Sequence, residues 1–401
     1  MLRQTVDAPL SGARRAAAEA QTPQIQEESV NTSHSCRYAP TPPWKIAGQS
    51  IARGQTADLK LKVSERYTGD PIHLPIRVIR ARKPGPALFV TAAIHGEELN
   101  GVGIIHDLMY GDEIELAAGT LMLVPIVNIF GFENQSRYMP DRRDLNRGFP
   151  GNPTGSLTSR VAHTVFREVV RRCDFGLDLH TAAAGRTNFP NIRGDLNKPG
   201  VRRIAKAFGC ELMVHGQGPE GSFRREAVKA GCSVAILEAG EPLKIEPSVL
   251  EVGLRGVRNV MIELGLIHGE PQRPAYQTRI DRSTWVRAQV GGLLRFHVAP
   301  GQVVEAGQSL ATNASVIGRE RNVLTAPTDG IVLGMTTLPT VKPGEPVCHL
   351  ATPKRPLASI TKQVDAASRR SLTRRVRRDL ATNISVSERE AEPASDAVDS
   401  D

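Results

Sequence analysis

The sequence predicts an α/β fold that is followed by a small all-β domain. Between about residue 58 and residue 270, short apolar runs of strand length alternate with longer stretches that have helical periodicity. This alternation indicates a sheet that is covered by helices. After about residue 275, turn signals such as Pro300-Gly301 and Pro343-Gly344 separate short alternating runs. Regularly spaced turns of this kind are typical of an all-β unit.

The α/β part contains clear candidate elements. Strand-like runs lie at residues 75–79, 88–94, 121–127, 175–179 and 234–237, and candidate helices lie at residues 100–110, 158–172, 201–207 and 247–264. The run from Ala87 to Ile94 is almost entirely apolar, which is typical of a central strand buried on both faces. Thr158 and Ser159 are the hydroxyl residues expected near a helix start.

We expect four regions along the 401 residues. Residues 1–45 are rich in Ala, Gln, Ser and Pro and predict a disordered lead. Residues 46–272 form the α/β domain, residues 273–353 the β domain, and residues 354–401 a charged, disordered tail. We expect a cytoplasmic protein, because no run reaches membrane-spanning length, the lead lacks the apolar core of a signal peptide, and the five cysteines show no paired spacing.

The net charge of +9 is concentrated in the tail. Residues 354–378 carry nine Lys and Arg but one Asp, so the rest of the chain is close to neutral. Such a run can contact nucleic acid or anionic lipid. A solvated extension or a short surface helix is more common for a charged tail. We therefore expect neither nucleic acid nor a membrane as a partner.

Four segments carry polar side chains where a predicted strand ends, and the first is His95-Gly96-Glu97-Glu98. His95 and Glu98 are three residues apart, so both side chains project to one side if the chain turns there. Two His and one Glu are an established ligand set for catalytic zinc. A His-x-x-Glu pair alone is a weak signal, because His95 could cap a loop while Glu98 faces solvent.

The second segment ends in His180, again after a short apolar run. Asp178 lies two residues earlier and so points to the same side of the strand. A carboxylate there can accept the ring hydrogen of a metal-bound histidine and fix its tautomer. A buried histidine that bonds to Asp178 without a metal is the alternative. Together with the first segment, His180 completes a ligand set for one zinc ion per chain.

The third segment places Glu238 directly after the apolar residues 232–237. Burial at such a position raises the pKa of a carboxyl group towards the range useful in proton transfer. We therefore assign Glu238 as the general base, which takes a proton from the attacking water and passes it to the leaving nitrogen. The alternative is that Glu238 only caps the turn at Gly240.

The fourth segment, residues 137–151, is a loop with four arginines, in which glycines and prolines exclude long regular structure. Guanidinium groups bind carboxylates through two hydrogen bonds and also stabilise a developing oxyanion. A solvated charge run is the usual alternative. Leu145, Phe149 and Pro150 indicate instead that this loop packs against the protein.

In chain order, the segments His95–Glu98, Asp144-Leu-Asn-Arg147, Asp178–His180 and Leu237–Gly240 resemble the succinylglutamate desuccinylase/aspartoacylase family, a branch of the zinc carboxypeptidase superfamily, over about residues 46–352. The resemblance implies a carboxypeptidase-like mixed sheet flanked by helices. The residues that it implies are the zinc ligands His95, Glu98 and His180, the substrate-carboxylate contacts Asn146 and Arg147, and the catalytic Glu238.

Three arginines compete for the oxyanion role that the family places shortly before the Asp-Leu-Asn-Arg motif: Arg137, Arg142 and Arg143. We prefer Arg137, because it precedes Tyr138 as in relatives. Arg186 and Arg193 follow the zinc histidine and either bind a second anionic group or pair with nearby acids. Arg186 is included among the substrate-binding candidates.

The β domain resembles lipoyl and biotinyl carriers, which have a barrel-sandwich-like fold, in residues 298–307 and 326–330. Such carriers hold their cofactor on a lysine at a hairpin tip. This chain has no lysine there, since the tip reads Val316-Ile-Gly-Arg319-Glu-Arg321. We therefore expect a structural cap that borders the active site or an oligomer contact.

The sequence thus predicts a zinc-dependent hydrolase that cleaves the amide bond of a small N-acyl amino acid or related carboxylate. Acetylated diaminobutyrate, acetylaspartate and succinylglutamate are all compatible with the motifs. Two alternatives stay open, namely a zinc carboxypeptidase that acts on peptides and a non-catalytic binding protein that uses the basic tail. A homo-oligomer is also compatible with the sequence.

Overall fold

The computed structural model describes residues 43–112, 114–318, 321–366 and 371–382. Within these residues the largest sheet has twelve strands, and a second sheet has four. The predicted α/β class is confirmed, and the large sheet is mixed, because it contains both parallel and antiparallel neighbours. The predicted disordered lead lies outside the described residues up to residue 42.

The strands are, in chain order, β1 (Trp44–Ile46), β2 (Gln49–Ile51), β3 (Thr56–Glu65), β4 (Pro71–Arg80), β5 (Ala87–Ala92), β6 (Thr120–Val124), β7 (Phe175–His180), β8 (Arg186–Gly194), β9 (Leu212–His215), β10 (Ser233–Gly240), β11 (Thr278–Arg287), β12 (Gly292–Phe296), β13 (Val303–Val304), β14 (Ser309–Ala314), β15 (Arg321–Thr325), β16 (Gly330–Thr336), β17 (Thr340–Val341) and β18 (Pro346–Pro353). All five predicted strands are present. In the α/β part, the sequence patterns missed β1, β2, β3, β8 and β9.

The helices are α1 (Asn100–Tyr110), α2 (Ile129–Glu133), α3 (Leu157–Glu168), α4 (Pro199–Phe208), α5 (Phe223–Lys229), α6 (Pro247–Glu263), α7 (Leu357–Ala366) and α8 (Leu372–Thr382), with two 3-10 turns at Leu145–Arg147 and Val170–Arg172. The four predicted helices correspond to α1, α3 with the following 3-10 turn, α4 and α6. Ser156 caps α3 by accepting a hydrogen bond from the Ser159 amide. Over the part of the chain described here, no helix combines the length and apolar character that crossing a bilayer requires.

The centre of the large sheet brings the ends of β5, β7 and β10 together. The order across the sheet is β13-β16-β18-β11-β9-β8-β10-β7-β5-β6-β4-β3. β7 runs parallel to both β5 and β10. All residues of β5 are buried, as its apolar run predicts. Because parallel strands end at the same edge of a sheet, the segments that follow them meet there.

Two hydrophobic cores lie on opposite faces of this sheet. Leu88 and Val90 of β5 point into a core that includes residues of α1, α4 and α6. Phe89, between them, points into a core that includes residues of α3 and α5. This alternation follows from the two-residue period of a strand. It buries the central strands on both sides and makes their ends a fixed platform.

The segment after residue 273 is all-β up to residue 353, but it continues the large sheet. β11 pairs with β9 and β18, and β16 pairs with both β18 and β8. The four-stranded sheet consists of β15, β14, β12 and β17 and packs around a third core. The direct pairing of β16 with β8 brings this segment next to the strand ends described above. Its likeness to lipoyl carriers stays a prediction.

Part of the segment expected to be a disordered tail is helical, which corrects that expectation for residues 357–366 and 372–382. Ile360, Val376 and Leu380 are fully buried, and α8 contacts α6. The Arg377 guanidinium lies 5.5 Å from the ring centroid of Phe189. The high content of charged residues did not predict these helices. A few apolar residues at helical spacing are enough to pack a short helix against the protein, even when most of its other residues are charged. Residues 383–401 lie outside the described part.

Candidate metal and catalytic site

His95 and Glu98 lie in the turn between β5 and α1. The His95 Nδ1 atom is 2.6 Å from Glu98 Oε1, and both side chains are buried. Gly96 allows the turn for a reason of packing, since a Cβ atom there would lie 1.9 Å from the carbonyl carbon of Gly131. Only glycine lets these two backbone segments approach so closely. The turn therefore orients the side chains of His95 and Glu98 towards the same point.

His180 is the last residue of β7 and faces the same carboxylate. Its Nδ1 atom is 2.8 Å from Glu98 Oε2, and its Nε2 atom is 2.7 Å from Asp178 Oδ2. The Thr181 amide also donates a hydrogen bond to Glu98 Oε2. Potential ligand atoms of His95, Glu98 and His180 all lie within 4.8 Å of one another. The structure thus brings the three predicted ligands together and gives His180 the predicted Asp178 partner.

The electrostatics of this cluster favour a cation. Burial alone raises the pKa of Glu98, but His95 and His180 outweigh burial and lower it far below its ordinary value. Burial lowers the pKa of His180, but Asp178 and Glu98 together raise it well above its usual range. Carboxylates that favour a proton on the histidines also favour a divalent cation at the same place, because both carry positive charge.

The donor set fits a metal ion. Two imidazole nitrogens and one carboxylate converge, all are buried, and the distal nitrogen of His180 has a carboxylate partner. This combination matches the ligand set and the supporting contact of catalytic zinc sites. The burial removes competing water from the ligands. These residues could therefore hold a metal ion as the sequence predicts.

Arg137 lies beside the cluster and is oriented by Asp144. Its Nη2 atom donates a hydrogen bond of 2.9 Å to Asp144 Oδ2, and its Nη1 atom is 3.2 Å from His95 Nδ1. Burial raises the pKa of Asp144, but His95 and Arg137 lower it far below its ordinary value. Asp144 is therefore a carboxylate that ties the arginine loop to the candidate metal ligands. Arg143 instead donates to Ser156.

Asn146 and Arg147 form the 3-10 turn of the arginine loop. Asn146 Oδ1 accepts a hydrogen bond of 2.8 Å from the Phe223 amide at the start of α5. This bond fixes the orientation of the side-chain amide. Arg147 Nη1 donates to the Asn146 carbonyl oxygen. Leu145 is fully buried, which agrees with a loop that packs against the protein.

Glu238 lies within β10 next to the candidate metal ligands. The strand continues to Gly240, whereas the sequence pattern placed its end at Leu237. In the parallel pairing of β10 with β7, Glu238 stands opposite His180. Its Oε2 atom accepts a hydrogen bond of 2.9 Å from Asn188 Nδ2, and its Oε1 atom is 3.7 Å from Arg193 Nη1. The carboxylate is therefore held between two groups of β8.

A cavity of about 330 Å³ joins these groups. Its lining contains every predicted site residue, namely His95, Glu98, Arg137, Asn146, Arg147, His180, Arg186 and Glu238. The lining also includes Asn188, Arg193, Arg224, Trp285 and His349. Five arginines against two glutamates make the wall strongly basic. An anionic ligand is the class that such a wall favours.

Arg224 is the lining residue with the most unusual environment. It is 9% exposed, and its Nε and Nη1 atoms have no hydrogen-bond partner among the described residues. Burial, together with the neighbouring Arg193, lowers the pKa of Arg224 to about 10. No sequence pattern indicated Arg224 as a site residue, because a single arginine in a short helix belongs to no recognisable motif. No pattern indicated Asn188, Trp285 or His349 either.

Comparisons with known proteins agree with the fold and with the family resemblance. Residues 84–264 match the succinylglutamate desuccinylase/aspartoacylase catalytic domain. The chain is 30% identical over 268 residues to N-alpha-acetyl-L-2,4-diaminobutyric acid deacetylase from Halomonas elongata, which covers 63% of this chain and 78% of that enzyme.

Two solved structures have the same fold. A succinylglutamate desuccinylase/aspartoacylase from Rhodobacter sphaeroides is 25% identical with a TM-score of 0.68, covering 78% of this chain and 100% of that chain. The product-bound ectoine utilization protein EutE (DoeB) from Ruegeria pomeroyi is 24% identical with a TM-score of 0.67, covering 75% of this chain and 96% of that chain.

Proposed function

Since the chain belongs to the succinylglutamate desuccinylase/aspartoacylase family, we propose that it is a zinc-dependent hydrolase of the amide bond in a small N-acyl amino acid. The observation that carries this proposal is the convergence of His95, Glu98 and His180 in one cavity with Glu238. A structural metal site needs no base beside it. The arrangement therefore supports a catalytic site over a purely structural one.

His95, Glu98 and His180 would hold the zinc ion. When bound there, zinc would act as a Lewis acid on the scissile carbonyl group and on the attacking water. Asp178 would keep His180 in the tautomer whose Nδ1 atom faces Glu98, because it accepts the hydrogen on Nε2. The side chain of Asp178 is fully buried, so water does not weaken this contact.

Glu238 would act as the general base. Its carboxylate lies one strand away from His180 and lines the cavity. It would take a proton from the attacking water and deliver it to the leaving nitrogen. Asn188 and Arg193 hold the two carboxylate oxygens, and this restricts the directions in which the side chain can point.

Arg137 would stabilise the oxyanion that forms on the substrate carbonyl. Its guanidinium reaches the candidate metal ligands while Asp144 holds it from the other side. A donor fixed before the reaction stabilises developing charge without reorganisation at the moment of reaction. Arg142 and Arg143 do not line the cavity, so Arg137 is the better candidate of the three.

Asn146 and Arg147 would bind the carboxylate of the amino acid. The Asn146 oxygen is occupied by the Phe223 amide, so its NH₂ group is the part left to donate to a substrate. Arg147 adds a guanidinium fork, which matches the geometry of a carboxylate. The cavity of about 330 Å³ has room for a small substrate. The similarity to an N-acyl amino acid deacetylase favours this class over the peptides of the carboxypeptidase alternative.

The test is a substrate comparison with metal content measured in parallel. We expect about one zinc per chain, hydrolysis of N-acetyl or N-succinyl amino acids, and loss of activity on chelation that added zinc restores. Peptides with the same C-terminal amino acid serve as matched competitors for the carboxypeptidase alternative. Full activity in protein freed of metal, or preference for the peptides, would overturn the proposal.

A further inference from the structure

Trp285 and His349 form a stacked pair at the wall of the cavity. They are direct cross-strand partners in the antiparallel pairing of β11 with β18. Their ring centroids are 4.4 Å apart, and the ring planes differ by 8°. The His349 Nε2 atom is also 2.8 Å from Ser283 Oγ, so the imidazole is held from a second side. Both residues belong to the all-β segment after residue 273.

Arg186 lies on the Trp285 ring. Its guanidinium carbon is 5.0 Å from the ring centroid. The strand that carries Arg186, β8, pairs with β16, which in turn pairs with β18. Arg186 also lines the cavity, and within the described part of the chain its guanidinium contacts the Trp285 ring and forms no salt bridge. The guanidinium thus has an aromatic partner and no acidic one.

This stack has a specific physical consequence. A guanidinium that lies on an aromatic face keeps the N–H groups at its edge free for in-plane hydrogen bonds. A carboxylate accepts two such bonds side by side. Fixing the plane of the guanidinium before binding lowers the entropy that binding an anion costs. The Trp285–His349 stack therefore prepares Arg186 as an anion receptor.

The charge of His349 agrees with this role. Burial and the neighbouring Arg193 and Arg186 lower the pKa of His349 to about 4. The imidazole is therefore neutral near pH 7 and does not repel the guanidinium. A neutral imidazole also stacks on Trp285 without attracting a carboxylate away from Arg186. The stack supplies orientation, and Arg186 supplies the charge.

We propose that Trp285 and His349 are positioning residues that hold Arg186 for a second anionic group of the substrate, and that this stack determines substrate specificity. The proposal rests on the proposed function and adds to it. The substrate is then an N-acyl amino acid with a carboxylate besides the one bound at Asn146 and Arg147. The second carboxylate belongs either to the amino-acid side chain or to the acyl group.

The rest of the wall favours the same class of substrate. Arg193 and the partly unpartnered Arg224 add two more guanidinium groups to the lining of the cavity. A cationic side chain, such as the free amine of acetyldiaminobutyrate, meets repulsion there. This chain is thus expected to differ in substrate charge from a diaminobutyrate deacetylase.

The test uses four substrates of similar size. N-acetyl-2-aminobutyrate has a neutral side chain, and N-alpha-acetyl-2,4-diaminobutyrate has a cationic one. N-acetylaspartate carries the second carboxylate on the amino acid, and N-succinyl-2-aminobutyrate carries it on the acyl group. We expect wild-type kcat/KM to be highest for one of the two dicarboxylates. The preferred dicarboxylate shows whether the second carboxylate belongs to the amino acid or to the acyl group.

Variants then isolate the stack. Trp285→Leu is expected to lower kcat/KM for the preferred dicarboxylate about tenfold, mainly through KM, and to change the neutral substrate less than twofold. Trp285→Phe should restore most of the loss. In an Arg186→Gln background, Trp285→Leu should have no further effect. The matched control is Trp44→Leu, because Trp44 makes a similar contact with Arg80 outside the cavity.

The outcomes separate this inference from the proposed function. If wild-type protein hydrolyses the neutral substrate but prefers the cationic one, or if Trp285→Leu affects all substrates equally, the inference is wrong while the proposed function stands. If no N-acyl amino acid is hydrolysed, the proposed function fails. The stack can then be tested by titrating succinate into a Trp44→Phe protein, in which Trp285 is the only tryptophan and its fluorescence reports binding. A fluorescence change on adding succinate that persists in Arg186→Gln would contradict the proposed role of the stack.

Discussion

Asn188 Nδ2 donates a hydrogen bond of 2.9 Å to Glu238 Oε2. This bond joins two antiparallel neighbours, β8 and β10, at the point where their register shifts. The shift lies between Glu238 and Gly240, and it sets where the carboxylate stands relative to β8. Asn188 also stands opposite Gly334 of β16. The position of Glu238 therefore depends on β8, the strand that also pairs with β16 of the all-β segment.

Replacement of Asn188 by alanine should lower kcat about tenfold, because Glu238 loses one of the two groups that hold its carboxylate. Zinc content should stay unchanged, since within the described residues the Asn188 side chain hydrogen-bonds to Glu238 and to none of the candidate ligands. The measurement is steady-state kinetics with metal analysis. Asn197→Ala is the control, because Asn197 is exposed and outside the cavity. Unchanged kcat in Asn188→Ala would contradict the assigned role of this bond.

Glu238→Gln should lower kcat by about 10²- to 10⁴-fold, because glutamine cannot accept a proton from the attacking water. The amide keeps the size of the side chain, so we expect zinc content and thermal stability to match the wild type. Glu241→Gln, three residues further and outside the cavity lining, is the control. Retained activity in Glu238→Gln would exclude this residue as the base.

Asp178→Asn should weaken zinc affinity about 10- to 100-fold, because the carboxylate that orients His180 through Nε2 is lost. The measurement is zinc competition with a chelator of known affinity. Asp174→Asn is the control, since Asp174 directly precedes β7 and accepts from the Ala87 amide away from the site. Equal affinity in both variants would argue against a metal bound at His180.

The stability of the protein should fall in mild acid because of His349. The pKa of His349 is about 4 in the folded protein, below its ordinary value of about 6.5 in an unfolded chain. Between these values the unfolded chain binds a proton that the folded protein does not, so stability is lost as the pH falls from about 6.5 to about 4. From pH 7 to pH 5 this loss is about 2 kcal/mol.

His349→Gln removes this titrating group and therefore isolates its contribution. Urea unfolding of wild type and variant at pH 7 and pH 5 gives the measurement. We expect wild type to lose about 2 kcal/mol more than the variant between the two pH values. A parallel decrease in both proteins would show that other groups cause the acid sensitivity.

Leu380→Ala should lower the free energy of unfolding by about 2 to 4 kcal/mol, because Leu380 of α8 is fully buried. Arg378→Ala, on the same helix, should change it by less than about 0.5 kcal/mol, since the Arg378 side chain is 72% exposed. Chemical denaturation of both variants is the measurement. Equal, small effects would mean that α8 does not stabilise the fold.

The sequence was most informative where a short motif for function directly follows a short pattern for secondary structure. The apolar run before His95 predicted a central buried strand, and β5 is buried throughout. The His-x-x-Glu spacing and the Asp178–His180 spacing predicted a shared cluster, and the structure places these residues together. Such patterns can be predicted because side chains alternate with a period of two along a strand, and because the carboxyl ends of parallel strands lie at the same edge of the sheet.

The sequence was least informative for β8 and for the charged C-terminal segment. β8 shows little alternation of apolar and polar residues and contains Pro190, so it lacked a strand signal, although seven of its nine residues are buried in the sheet. The helix α8 has a low apolar content, and its burial depends on the α6 surface that receives it. Both elements are stabilised by contacts that are distant in sequence.

By itself the sequence determined the α/β class, the order of the motifs and the identity of the candidate ligands, because each of these can be read from short local patterns repeated along the chain. Only the tertiary structure brought Asn188 to Glu238, left Arg224 buried with unpaired nitrogens, and stacked His349 on Trp285 beside Arg186. These contacts join residues up to 99 positions apart, from Arg186 to Trp285. No periodicity or local motif records contacts of that range, since they arise from pairings of strands that are distant in the chain, such as β8 with β10, β11 with β18 and β8 with β16.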